Sequence, residues 1–92
     1  MAKKKKEAGS SNMISVEEAA RAAAQHLANL VEGATDVRIE ETELGGMGLV
    51  DWFITLSYQA PEGLVVFGRR HYKVFQVEGT TGEVLSMKIR EV

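Results

Sequence analysis

The sequence predicts an α+β fold in which one N-terminal helix packs on a four-stranded antiparallel sheet. Three observations support this fold: an amphipathic helical pattern near the start, a period-two segment in the middle, and a strand–turn–strand pattern at the end. In the last of these, a polar, glycine-bearing link, 78–83, joins the strand-like runs 71–77 and 84–89. Such a link between two β-prone runs is typical of an antiparallel hairpin. The sheet is therefore expected to be a meander.

Length and composition limit the function classes. A chain of 92 residues predicts one domain, assigned here to residues 14–92. The chain has no cysteine, which excludes disulfides and thiolate catalysis. With 11 basic and 13 acidic side chains, its net charge of −2 gives no overall field for nucleic acid. Any polyanion binding must come from a local patch.

The first residues carry a like-charge run, Lys3 to Lys6, followed by a small-residue linker, Ala8 to Ser11. Such a composition buries too little apolar surface to order itself, so residues 1–13 are predicted to be a disordered basic tail. The tail is either an expression-derived linker, a native solvated tail or a polyanion-binding arm. The sequence lacks a secretory signal and a membrane-spanning stretch, which predicts a cytoplasmic protein. A periplasmic or extracellular protein is expected if this N-terminus replaces a native one.

The helix begins after Ser15, which forms the capping-box pattern S-x-x-E with Glu18. Gly33 is placed where a left-handed C-terminal cap is expected. The apolar stripe is rich in alanine, which lets the helix lie close to a sheet. Its residues recur at three- and four-residue spacing: Val16, Ala19, Ala20, Ala23, Leu27, Leu30 and Val31.

The strands follow from alternation. A short strand is predicted at about 36–43, and a longer one at 52–59 has the clearest period of two. The glycine-rich segment 45–48 joins them as a mobile hairpin loop, or as a flexible contact loop with Met47 at its tip. Pro61 and Gly63 predict a turn, after which the run 64–67 ends at a bend or bulge at Gly68.

The alternation also predicts the two faces of the sheet. The face toward the helix is expected to carry Trp52, Ile54, Leu56, Phe75, Val77, Leu85, Met87 and Ile89. The other face is expected to present Phe53, Tyr72, Val74 and Val84. One helix covers one side of a sheet, so these side chains and Met47 are the predicted partner-binding residues, for another protein or for a second copy of the chain. The alternative is that they are ordinary scattered surface apolars.

Charged clusters supply the other candidates. Glu40 and Glu41 are expected on opposite sides of an edge strand, where charges discourage aggregation. Strand alternation likewise divides the basic cluster, which is the alternative, polyanion-binding site. Its members are Arg69, Arg70, His71 and Lys73. His26, His71 and Asp51 have no metal-ligand spacing, so no metal site is predicted.

The order of elements is similar to that of a known family. The Ala-rich capped helix 15–23, the strand segment Tyr72-Lys73-Val74 and the turn Thr81-Gly82-Glu83-Val84 resemble PepSY-like domains over about residues 14–92. The resemblance implies a secreted or membrane-associated module that binds or inhibits partners, often proteases. Through Trp52 and Tyr72 the chain also resembles a gas vesicle accessory family. Neither resemblance implies a particular site residue.

Together these observations predict a non-catalytic protein-interaction or inhibitory module, which acts on a partner or as a homodimer through the open sheet face. No enzyme activity and no cofactor are predicted, because no candidate acid, base or nucleophile has a recognisable companion in the sequence. The alternative function is RNA or polyanion binding through the basic cluster and the lysine tail.

Overall fold

The computed structural model describes residues 13–60 and 70–90. It confirms the predicted α+β fold: the helix α1 (Val16–Leu30) packs on a four-stranded antiparallel sheet. The strands are β1 (Thr35–Gly45), β2 (Asp51–Gln59), β3 (Arg70–Glu78) and β4 (Val84–Ile89), in the spatial order β1-β2-β3-β4. A short 3-10 turn, Met47–Leu49, lies between β1 and β2. Residues 1–12 of the predicted tail lie outside the described residues, as do the predicted turn at Pro61 and Gly63, the run 64–67 and the predicted bend at Gly68.

The capping box predicted at the start of α1 is present. The Ser15 hydroxyl accepts a hydrogen bond from the Glu18 backbone N–H at 3.1 Å, and the Glu18 carboxylate accepts one from the Ser15 N–H at 2.9 Å. Two N–H groups that the first turn leaves without helical partners are thereby satisfied. At the other end, Val31 N–H donates to the Leu27 carbonyl, and Gly33 adopts a φ of 82° two residues later.

The core lies between the alanine face of α1 and the two central strands. Because alanine side chains are short, the helix axis lies close to β2 and β3. The largest buried side chains, such as Phe75 and Leu27, each contribute roughly 1.5–3 kcal/mol by leaving water. The buried apolar set is Ala19, Ala20, Ala23, Leu27, Ile54, Leu56, Tyr58, Phe75 and Val77.

The edge strand β1 contributes no residue to this buried set. Its side chains Val37 and Ile39 stand on the helix side of the sheet, where they line a groove with Ala20 and Ala24 of α1. Ile39 is nevertheless 58% exposed and Val37 42% exposed. The helix therefore covers the middle of the sheet and leaves the helix side of β1 uncovered.

A bulge in β4 corrects two of the predicted orientations. Gln76 pairs with Ser86, but Val77 pairs with Val84, so Leu85 is an extra residue on β4. The bulge reverses the alternation at this point. Val84 packs against the core instead of facing away from the helix, and Leu85 is 49% exposed instead of packing under it.

The predicted turn between β3 and β4 is closed by hydrogen bonds among its own residues. The Thr81 hydroxyl donates to the Glu78 carboxylate at 2.7 Å, and the Gly82 N–H donates to the Glu78 carbonyl at 2.9 Å. Gly82 has a φ of 80°, a left-handed conformation that glycine adopts without strain. These contacts fix the register of the hairpin.

The segment before α1 is attached to the same end of the sheet. Ile14 N–H donates to the Gly79 carbonyl at 2.7 Å, and the indole N–H of Trp52 donates to the Ile14 carbonyl at 3.1 Å. At Gly79 a Cβ atom would lie 2.0 Å from the Val50 carbonyl oxygen. Glycine is therefore required here by the close approach of two backbone segments.

Substituting Gly79→Ala is expected to destabilise the fold by about 2–3 kcal/mol, because backbone must shift to admit the methyl group. Gly82→Ala is the matched control. Its added methyl group meets nothing nearer than 3.6 Å, so it carries only the left-handed strain of about 1 kcal/mol. Equilibrium unfolding in urea measures the free energy of unfolding of both variants. A Gly79→Ala variant as stable as Gly82→Ala would contradict the close approach.

Candidate functional site

The candidate site is on the open face, the side of the sheet that α1 does not cover. Cross-strand register places alternate residues of the central strands there, opposite each other in pairs. The pairs are Phe53 with Gln76, Thr55 with Val74, and Ser57 with Tyr72. Phe53, Tyr72 and Val74 therefore share one face, as the sequence predicted.

Arg70 crosses the far end of this face, where β3 begins. Its Nε donates to the Ser57 hydroxyl at 3.0 Å and its Nη1 to the Asp36 carboxylate at 2.8 Å. Its Nη2 also donates to the Asp36 backbone carbonyl. The guanidinium thus spans three strands, and its side chain is only 16% exposed.

Arg90, which follows β4, crosses the middle of the face in the same direction. Its backbone N–H donates to the Tyr72 carbonyl at 2.9 Å, which continues the ladder between β3 and β4. Its Nη1 forms an ion pair with Glu41 on β1 and donates to the Thr55 hydroxyl at 3.2 Å. Arginine stems therefore cover the buried hydroxyls of β2.

A bulge in β1 corrects the prediction that Glu40 and Glu41 point to opposite sides. Ile39 pairs with Leu56 but Glu41 pairs with Thr55, so Glu40 is the extra residue. The Ser57 hydroxyl donates to the Glu40 carboxylate at 2.5 Å, while Glu41 meets Arg90. Both carboxylates consequently lie on the open face, which is more polar at its centre than the sequence predicted.

The apolar part of the face is a groove near the β1–β2 turn. Phe53 and Val74 form its floor, with Thr55, the cross-strand neighbour of Val74, and its volume is about 510 Å³. Its rim consists of Glu41, Glu43, Gly45, Gly46 and Arg90. We call this the open-face groove.

Phe53 is positioned by Gly45. A Cβ atom on Gly45 would lie 2.7 Å from the Phe53 ring, so the ring rests directly on the glycine backbone. Glycine at this position therefore leaves room for the ring, which a side chain here would displace. Glu43, the cross-strand neighbour of Phe53, places a carboxylate beside the ring.

The other predicted partner-binding residues lie elsewhere. Met47 is 93% exposed in the 3-10 turn, immediately after the rim glycines. Tyr72 shares the open face but stands opposite Ser57, nearer the start of β3 than Val74 and outside the groove lining. Val84 is on the helix side, for the reason given above.

The predicted basic cluster is divided by the sheet, as strand alternation indicated. Arg70 is on the open face in its ion pair with Asp36. His71 is on the opposite face, where its ring stacks on Tyr58 with centroids 5.3 Å apart. Lys73, opposite Leu56, shares the face of His71. Arg69 lies outside the described residues.

The remaining candidate residues do not converge. His26 on α1 makes an edge contact with the Phe75 ring at 6.2 Å, within the helix–sheet layer. Asp51 pairs with Glu78 at one end of β2, and its carboxylate accepts a hydrogen bond from Gln76 at 2.8 Å. His71 pairs with Tyr58 near the other end of the strand. No helix within 13–60 and 70–90 is long and apolar enough to span a membrane.

Sequence reasoning missed Arg90 and Glu41 as parts of the site, and it placed Gly45 in the possible contact loop without its close approach to Phe53. The available signal for this approach was the position of Gly45, which stands two residues before the loop tip and diagonal to Phe53 on the next strand. No local signal marks Arg90, because its contacts with Thr55 and Glu41 span 35 and 49 residues of sequence.

Comparison of this chain with family models, with curated proteins and with solved structures gave no match. The resemblance to PepSY-like domains and to the gas vesicle accessory family therefore stays a prediction. The geometry of the open face carries the functional argument by itself.

The ion pair at Asp36 makes a pH-dependent prediction. The hydrogen bond from Arg70, helped by that from Arg38, holds the pKa of Asp36 below its ordinary value of 3.8. A carboxyl whose pKa is lowered on folding stabilises the fold above its ordinary pKa, and this contribution is lost as pH falls through the lower, folded value. Asp36→Asn should therefore lower the urea midpoint at neutral pH, and the difference should vanish below the folded pKa.

Asparagine is a suitable replacement because Asp36 has a φ of 51°, a left-handed conformation that asparagine also tolerates. The control is the same substitution made in an Arg70→Gln background, where it should have little further effect. A stability difference that is as large at pH 2 as at pH 7 would show that the carboxylate charge is not involved.

Proposed function

We propose that this protein is a non-catalytic protein-interaction module that binds an extended segment of a partner in the open-face groove. The observation that carries the proposal is the groove itself, an apolar floor of Phe53 and Val74 within a charged rim. Apolar surface enclosed by a few fixed polar groups is the usual chemistry of a binding site. Met47, exposed at the adjacent turn, adds a flexible apolar contact beside it.

The charges of the rim favour a particular kind of segment. Glu41 and Glu43 bring two carboxylates to the groove, and Arg90 brings one guanidinium, which already pairs with Glu41. A basic side chain of the partner can pair with Glu43 and lie against the neighbouring Phe53 ring. The expected ligand is therefore a segment with an apolar side chain next to a lysine or arginine.

A partner of different sequence suits this face better than a second copy of the chain. Arg70 and Arg90 span the face, paired with Asp36 and Glu41 on the same face. Two open faces packed together would remove both sets of charges from water, which carries a desolvation penalty. Inhibition of the partner is one way in which such a module would act.

Catalysis is not part of the proposal. The hydroxyl with the most polar surroundings, that of Ser57, is inaccessible to a substrate. Ser57 is fully buried, and its Oγ lies between Glu40 and Arg70. A substrate would have to displace Arg70 to reach it. This arrangement supports a structural role for the Ser57 hydroxyl.

The test is a capture experiment with nuclease-treated lysate that compares the full chain with the double variant Phe53→Thr, Val74→Thr. Threonine keeps the strand propensity but removes the apolar floor, so capture of a specific partner should fall at least about tenfold. Leu85→Thr, a change at an exposed side chain of β4, is the matched control and should capture normally. Circular dichroism establishes that each variant is folded.

Equal capture by the double variant and the full chain would contradict the proposal. Loss of all capture after nuclease treatment would also contradict it and would favour polyanion binding instead. In that case binding by the untreated chain should weaken steeply with salt.

A further inference from the structure

The helix side of β1 holds an apolar groove that the proposed function does not use. It lies between α1 and β1 and has a volume of about 360 Å³. Its lining is apolar except at the rim formed by α1: Ala20, Ala24, Val37, Ile39 and Leu56, with Glu17 and Arg21. We call this the helix-side groove.

The groove exposes apolar side chains of β1. Ile39 is 58% exposed and Val37 42% exposed, although both stand on the face that carries the core. Neighbouring apolar side chains that stand together beside a core typically belong to an interaction surface. Ala20 and Ala24 add short side chains, which allow another helix to approach closely.

Two opposite charges stand at the rim of the groove. Glu17 and Arg21 are one helical turn apart, are both exposed, and form no ion pair with another described residue. On the helix surface, the point midway between their side chains is level with Ala19 along the helix axis, on the side away from the core that buries the Ala19 side chain. A two-fold axis through this point places Glu17 beside the partner's Arg21, and Arg21 beside the partner's Glu17. The rim is therefore complementary to itself.

We propose that the helix-side groove is the interface of a homodimer, in which the α1 helices of two copies pack antiparallel across the axis. Val37 and Ile39 of each copy then leave water against the partner. The outer edge of β1 is a poor alternative interface, because it is bulged at Glu40 and carries three glutamates. This inference does not depend on the proposed function.

The dimer has a consequence for the opposite side of the molecule. Because the interface uses the helix side, the open-face grooves of both copies stay outside it. The assembly is thus bivalent, and a partner with two suitable segments would bind it more tightly than it binds one copy.

Charge reversal tests the proposal in the full chain. Sedimentation equilibrium is expected to show a dimer for the unmodified protein. Arg21→Glu places two like-charged pairs across the axis and should raise the dimer dissociation constant by about tenfold or more. The double variant Glu17→Arg, Arg21→Glu restores opposite charges and should return the constant to within about threefold of the original. Lys88→Glu, on the other face of the sheet, is the matched control and should change nothing.

Three results would overturn the proposal. A monomer at every concentration would leave the helix-side groove for a different protein. A dimer unaffected by Arg21→Glu would place the interface elsewhere. A dimer lost in Arg21→Glu and not recovered in the double variant would show that the reciprocal pairing is wrong. Both substituted side chains are exposed, so the variants are expected to fold. The helical signal in circular dichroism checks this.

Discussion

The structure depends on how little of a four-stranded sheet one helix can cover. A helix with its side chains is about 10 Å wide, whereas three spacings of about 4.8 Å place β1 about 14 Å from β4. The alanine face of α1 packs on β2 and β3, where Leu56 and Phe75 are fully buried. The helix thus leaves one entire face of the sheet and the helix side of β1 uncovered.

The open face meets this constraint with long polar side chains. Ser57 and Thr55 are buried hydroxyls on the central strand, and buried polar groups require hydrogen-bond partners. Arg70 of β3 and Arg90, which follows β4, supply them from one side of β2, while Glu40 and Glu41 of β1 approach from the other side. Among the described residues of this face, Phe53 and Val74 form the apolar groove near the β1–β2 turn, and the candidate site lies there.

The two uncovered surfaces differ in chemistry, and this difference separates their proposed roles. The open-face groove has a small apolar floor with charges fixed by ion pairs, which suits a short segment of another protein. The helix-side groove is mainly apolar and has self-complementary charges, which suits a second copy. Because the sheet separates them, occupation of one surface leaves the other accessible.

Much of the fold could be predicted because its signals are local. The Ser15 capping box, the alternation in β2 and the polar turn before Val84 each follow from a few neighbouring residues. The bulges at Glu40 and Leu85 could not be predicted, since neither residue is a glycine or proline that would mark a break in pairing. Each bulge shifts the alternation by one residue, so Glu41 shares the open face with Glu40 instead of pointing to the opposite side, and Val84 faces the helix instead of the open face.

The site was only partly predictable for a related reason. Phe53 and Val74 follow from alternation alone, but Arg90, which bounds their groove, reaches it from the far side of the sheet. The lateral position of α1 is also a tertiary property, which depends on how the alanine face fits β2 and β3. The exposure of Ile39 could not be inferred from a pattern that is compatible with a half-buried strand.

The most direct test of the division between the two surfaces is a methyl NMR spectrum of the full chain, recorded from micromolar to millimolar concentration. The methyl signals of Val37 and Ile39 are predicted to shift or broaden as concentration rises, whereas those of Val74 stay in place. Movement of the Val74 signals, or no change at Val37 and Ile39, would contradict the account.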